Sequence, residues 1–218
     1  MPRLLFEKTG NAVWISHLDL MRLFQRSFKR AGLPLKHSQG YSPRPYVSVI
    51  LPLSVGVESV CELLDFDLEG ESLPAELIRE RLNQVLTDGI RVQDVYEDGA
   101  KIKNLALLDC EVILEYDEGV PFNAADAVSE LFRRSSLTVE KKGKNGPTQQ
   151  DIIPMIRRIN VTAGEKELSL RALICCQNPA LNPMQLAAAV RAYLPELAPD
   201  HAVSRRIEIY DMNEKVFR

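Results

Sequence analysis

The sequence predicts an α+β protein built as two tandem ferredoxin-like halves, each a β-α-β-β-α-β unit. Three observations support this. Strand-like and helix-like segments alternate in one order that occurs twice, and a polar joint (DGAKIKN, residues 98–104) parts the two runs. The 218 residues also suffice for two domains of about 100 residues each. The expected domains are 1–100 and 104–218. No sequence identity links the halves; only the order of elements recurs. Apolar residues at 45% and charged residues at 26% belong to a chain that folds around a core.

In the first half, residues 3–8 and 12–15 are short strand-like runs. A helix is expected over 17–31, with Ser16 as N-cap, Asp19 reaching back to it, and Gly32 closing the C-terminus. Residues 45–51 (PYVSVIL) are rich in β-branched side chains and read as strand. Residues 60–68 lie between Gly56 and Gly70 and fit a buried strand. Ser72 is placed to cap a second helix with Pro74 in its first turn, ending near Leu86, and 90–96 returns as strand. In the second half, 109–116 reads as strand, 124–134 as helix and 137–141 as an extended segment, followed by a polar turn, KKGKNGPTQQ. Strands over 154–161 and 168–175 flank the turn TAGEKE, Asn182-Pro183 opens a helix to about Leu194, and 205–210 closes as strand.

Several function classes are disfavoured. The opening MPRLLFEKTG is too short in apolar run for a signal peptide, and no stretch approaches the roughly 18–20 apolar residues of a membrane span. A cytoplasmic location with no membrane partner is therefore expected. Cys61, Cys110, Cys175 and Cys176 form no CxxC pair and have no histidine at ligand spacing, so they read as reduced packing residues and no metal is expected. No cofactor is expected either: there is no GxGxxG, no phosphate-cradling glycine loop with Lys-Ser/Thr, and no nucleophile elbow.

Charge is unevenly spread. The total is −3, yet residues 1–50 hold eight Lys/Arg against two acids, +6, while 51–100 hold three against twelve, −9. A basic segment in an acidic chain points to an anionic partner. At 100° per residue, Leu20, Met21, Phe24, Phe28 and Ala31 share one side of the first helix, and Arg22, Arg26, Lys29 and Arg30 share the other. That row reads either as a solvated helix face or as a stripe that tracks phosphates. His17 falls on the apolar side in the first turn, where neutral imidazole serves as a packing group or as a general base. It is the one candidate catalytic residue.

Ser38-Gln-Gly-Tyr-Ser-Pro-Arg-Pro-Tyr46 is the most unusual stretch. Gly40 permits a turn while Pro43 and Pro45 keep the loop extended, and Tyr41 and Tyr46 flank Arg44. Aromatics beside a guanidinium suit splayed single-stranded bases, a protein groove, or a rigid packed turn.

Four ordered motifs resemble one family: Lys8-Thr-Gly10, Trp14-Ile-Ser-His-Leu-Asp-Leu20, Gly40-Tyr-Ser-Pro-Arg-Pro45 and Leu51-Pro-Leu-Ser-Val-Gly-Val-Glu-Ser59. This is the bacterial radical-SAM-linked family, domain of unknown function 2344. A thinner match runs on through Lys142 and Asp151-Ile-Ile-Pro154, with Ile153 where the resemblance leads one to expect a basic residue. The resemblance implies a radical SAM protein as partner and a link to RNA processing. The chain lacks the closely spaced cysteines that hold an iron–sulfur cluster, so an accessory or substrate-presenting role follows. The expected architecture also looks like that of the CRISPR repeat-processing endoribonucleases, some of which use a histidine near the first helix as general base.

Three readings stand from the sequence. The first is a non-catalytic RNA-binding partner of a radical SAM enzyme, using Lys8, Arg22, Arg26, Lys29, Arg30, Tyr41, Arg44 and Tyr46. The second is a metal-independent endoribonuclease with His17 as base and Lys8 or Arg44 stabilising charge. The third is a protein-interaction scaffold.

Overall fold

A computed structural model gives the fold; it describes residues 1–143 and 146–218, and of 142 and 143 the backbone only. The chain is α+β, with four α-helices among the described residues and antiparallel strand pairings. It divides into two compact units, Met1–Asn104 with Phe217–Arg218, and Leu105–Val216.

The first unit runs β1 (Arg3–Lys8), α1 (His17–Arg30), β2 (Val47–Ile50), β3 (Glu58–Phe66), α2 (Ala75–Asn83) and β4 (Ile90–Tyr96). Its strands lie in the order β4-β1-β3-β2. Leu4 and Phe6 of β1 and Leu64 and Phe66 of β3 project to the face that meets the helices, as alternation along a strand requires. They pack there with Leu20, Phe24 and Phe28 of α1 and Ile78 and Leu82 of α2. Phe6 meets Phe24 edge-on at 4.8 Å between centroids, and Phe28 lies 5.1 Å from Phe66. Each fully buried side chain of this kind contributes about 1.5–3 kcal/mol, so the apolar stripe, rather than helix propensity, seats α1.

The second unit runs β5 (Leu105–Glu115), α3 (Ala124–Phe132), β6 (Thr138–Gly143), β7 (Gly146–Asp151), β8 (Ile156–Ala163), β9 (Glu167–Cys175), α4 (Met184–Tyr193) and β10 (His201–Asp211). Four strands lie in the order β10-β5-β9-β8, and β6 and β7 form a separate ribbon. The expected polar turn is therefore largely strand, and residues 144 and 145 lie outside the described residues. The closing strand begins at His201, before the predicted 205, because its first residues pair with the far end of β5.

Two local readings are corrected. Residues 12–15 are not a strand: Gly10–Trp14 is a 3-10 turn, entered by Gly10 at φ +54° and held by Thr9 N–H donating to Gly89 O at 2.8 Å. Four apolar residues are too few to fix a period, and long-range bonds decide such a segment. Ser72 does not cap α2, which starts at Ala75 after Pro74 with no side-chain cap.

Arg3 is 2% exposed and anchors the opposite face of β1. Directly across the ladder, Asp65 accepts from its Nε and Nη2 at 2.6 and 3.1 Å, and Ala100 O accepts from Nη2 at 2.9 Å. The ring of Phe217 lies 5.1 Å from the guanidinium. Gly99 closes the pocket, since a Cβ there would stand 2.5 Å from Arg3 Cζ. The guanidinium is tied on three bonds and cannot yield cheaply. Gly99→Ala is expected to cost about 2 kcal/mol in urea unfolding, and much less in an Arg3→Leu background, because the two substitutions act on one contact.

Candidate functional site

The first unit holds a knot of three chain segments around the carbonyl of Val13. Lys8, at the end of β1, is 1% exposed and its Nζ donates to Val13 O at 2.9 Å. Gly56 N–H donates to the same oxygen at 2.9 Å. Burial pulls the Lys8 ammonium below its ordinary range, while the buried Glu62 carboxylate partly restores it. Lys8 is thus an internal pin and does not join the surface cations with which it was grouped from sequence.

The knot fixes Trp14. Its indole lies over Gly56, where a Cβ would stand 3.3 Å from Trp14 Cζ3, and Gly56 itself holds φ +84°. Trp14 nevertheless remains 69% exposed, beside Val55 at 53% and near the start of α1, where Leu18 is 65% exposed. Leu51, in the same motif as Gly56, adopts φ +52° ahead of Pro52, an uncommon backbone state for a branched side chain. Sequence reasoning missed Trp14 by placing it in a strand. The nearby Ser-Val-Gly-Val, with glycine at the one place an indole needs room, was the available signal.

From this turn α1 departs. Asp19 N–H donates to Ser16 Oγ at 3.2 Å, and Ser16 Oγ donates to the Asp19 carboxylate at 2.8 Å, so the reach-back goes to the hydroxyl instead of the amide. These bonds and the Arg22 guanidinium, 3.0 Å from Asp19, hold the Asp19 carboxyl below the usual range. The far end closes as a Schellman motif: Leu33 N–H donates to Phe28 O, and Gly32, at φ +67°, donates to Lys29 O.

Arg22, Arg26, Lys29 and Arg30 are all exposed. Three of them, Arg22, Arg26 and Arg30, line a groove of about 490 Å³ with Ile15, Asp19 and Leu23. Arg30 is oriented by donating to Val85 O at 2.7 Å. Lys29 stands on the same helix outside that lining.

His17 is half-buried, and its Nδ1 is enclosed without a hydrogen-bond partner. The Tyr-rich loop is pinched at its base: Ser38 N–H donates to Arg44 O at 2.9 Å, Arg44 N–H to Ser38 Oγ at 3.0 Å, and Tyr46 N–H to Lys36 O at 2.8 Å. Tyr41 at its tip is fully exposed, Arg44 is exposed and Tyr46 is 40% exposed. No described hydrogen bond or ring contact joins these three side chains to α1.

In the second unit, Asp151 Oδ1 accepts from Leu137 N–H at 2.9 Å and Ile153 N–H at 3.2 Å, which closes the base of the β6–β7 ribbon and depresses its carboxyl. Burial pushes the Cys110 thiol up to about 12 and Cys176 up to about 11. Both are packing residues that stay protonated near neutral pH.

An α+β chain with a basic, groove-lining helix is the class these features define. The chain belongs to the family described as "Uncharacterized protein conserved in bacteria (DUF2344)", whose model matches residues 2–183. No curated protein matches it. Among solved structures it is similar to a chain of the "Crystal Structure of a Cbf5-Nop10-Gar1 Complex", with TM-score 0.53 and 9% identity over 95% of this chain and 48% of that one. The chain thus spans about half the length of that neighbour, and the likeness is one of fold. Among the described residues no helix is long and apolar enough to cross a membrane.

Lys8→Met is expected to destabilise the protein by about 2–3 kcal/mol in urea unfolding, since it removes the cation facing a buried carboxylate. With its folded pKa below 10.5, Lys8 binds less proton folded than unfolded, so the wild type gains on the variant as pH rises toward 10.5. Iodoacetamide at about pH 8 should leave Cys110 unmodified in the folded chain and alkylate it in urea. Mass spectrometry of the peptide checks this.

Proposed function

We propose that the protein is a non-catalytic accessory protein that binds RNA along α1 and presents it to a radical SAM enzyme. The observation that carries the RNA reading is the exposed Arg22, Arg26 and Arg30 row along one groove on a helix rigidly capped at both ends. Successive guanidiniums on one helix face suit a phosphate backbone, and they contribute affinity without sequence preference. Lys29, exposed on the same helix, extends the field around that groove. The family motifs, which resemble radical-SAM-linked proteins, support the partner. We further read the two units as ferredoxin-like halves in tandem, for which the strand orders β4-β1-β3-β2 and β10-β5-β9-β8 speak.

Cleavage with His17 as base is less well supported. It needs a second group to stabilise charge, and Lys8, one of the two candidates, is enclosed and bonded to Val13 O.

Fluorescence anisotropy with transfer RNA and with a single-stranded RNA tests the proposal. Three phosphate contacts predict a log–log salt slope of about −2 on single strands. The Arg22→Ala/Arg26→Ala/Arg30→Ala variant should flatten the slope and lose at least about tenfold in affinity at low salt. Absence of binding at low salt, or binding that the triple variant leaves intact, overturns the reading.

A further inference from the structure

Trp14 has an exposure unusual for the largest apolar side chain of a folded chain, and it is not loosely held. The indole rests on Gly56, and the backbone that carries it is held on both sides: the Val13 carbonyl before it accepts two hydrogen bonds, and Ile15 N–H after it donates to Ala12 O at 3.0 Å. With one face of the indole against Gly56, the other is free for contact, and the part of the side chain already packed has less entropy to lose on binding. Packing does not explain the exposure, since the same turn buries its Ala12 at 3%.

The position matters as much as the exposure. Ile15, the next residue, begins the lining of the arginine groove, which continues through Asp19, Arg22, Leu23, Arg26 and Arg30. Trp14 is thus the residue that immediately precedes the first lining residue of the groove. The three arginines extend from it along about 12 Å of helix between Arg22 and Arg30. One aromatic platform followed by a row of guanidiniums is the arrangement in which a base stacks while the adjoining phosphates are tracked. Duplex RNA keeps its bases stacked inside the helix and offers no free face to an indole. Asp19 is the one anionic group in the lining, and Arg22, 3.0 Å away, neutralises it.

We propose that Trp14 is a base-stacking platform, so that the α1 groove takes single-stranded RNA with one unpaired base on the indole. This deepens the RNA-binding reading and rests on it. Val55 and Leu18, exposed beside the indole and at the start of α1, supply apolar edges against which a stacked base loses water.

The chain has a single tryptophan, so its fluorescence reports on this site alone. Titration with an oligouridine of about twelve nucleotides should quench the emission, whereas a blunt hairpin duplex of equal length should bind more weakly and quench less. In parallel, anisotropy of a labelled oligouridine should show about a tenfold loss for Trp14→Ala and a smaller loss for Trp14→Phe, which keeps a ring. Circular dichroism and the urea midpoint establish that both variants fold. Binding of the labelled strand without quenching, equal quenching by the duplex, or undiminished binding by Trp14→Ala overturns the platform while leaving the arginine groove as an RNA site. Absence of binding to either RNA by anisotropy overturns both readings together.

Discussion

One carbonyl oxygen organises the part of the molecule where the family motifs gather. Val13 O accepts from Lys8 Nζ and from Gly56 N–H, each at 2.9 Å. Two of the four motifs therefore converge on a single acceptor, and a third begins at the next residue, Trp14. Enclosing an ammonium costs several kcal/mol unless a partner and good hydrogen bonds offset it. Here Glu62 and the carbonyl provide them, and the result is a turn with no freedom to slide. Gly89 locks the other side, for a Cβ there would stand 2.3 Å from Thr9 O. Since α1 begins four residues after Val13, the direction of the basic helix and the placement of Trp14 follow from this one arrangement.

A second buried cation acts on the opposite face of β1. Arg3 ties β3 through Asp65, the 99–100 segment through Ala100 O, and the chain's last residues through the Phe217 ring. The two cations are suited to different tasks. A planar guanidinium takes two carboxylate oxygens and an aromatic face together, whereas a compact ammonium at the end of a flexible stem reaches a single carbonyl. Exchanging Arg3 for lysine or Lys8 for arginine would satisfy charge and lose geometry.

The sequence made α1 legible because everything that defines it is local: a Ser16 cap, an apolar stripe at helical spacing, Gly32, and arginines on the far side. The strand order was legible only as alternation of segment types. What could not be read was whatever depends on distant contacts. Residues 12–15 looked like strand because their turn is decided by Gly89, Lys8 and Gly56, all remote in the chain. Lys8 looked like a surface cation because a sequence carries no burial, although RLLFEK sits in a run otherwise dense in apolar side chains. Trp14 was overlooked for the same reason, its exposure being a property of what packs around Gly56.

The charge asymmetry acquires a different meaning once pairs are drawn. The acids of 51–100 do not simply balance the basic first quarter as a whole. They meet particular cations: Asp65 binds Arg3, Glu62 acts on Lys8, and Asp67 pairs with Lys36 at 3.3 Å. Arg3 and Lys8 are buried and structural, Lys36 forms an exposed surface pair, and the charge of all three is compensated where it stands. Arg22 faces its own Asp19, and no ion pair among the described residues engages Arg26, Lys29, Arg30 or Arg44. The basic charge left over is thereby concentrated on α1 and on the tip of one loop. A polyanion within a Debye length of about 8–10 Å responds to that local excess, and the net charge of −3 says little about it. Internal neutralisation is therefore what turns a diffuse basic segment into a directional one, and it depends on the same buried pairs that hold β1 in place.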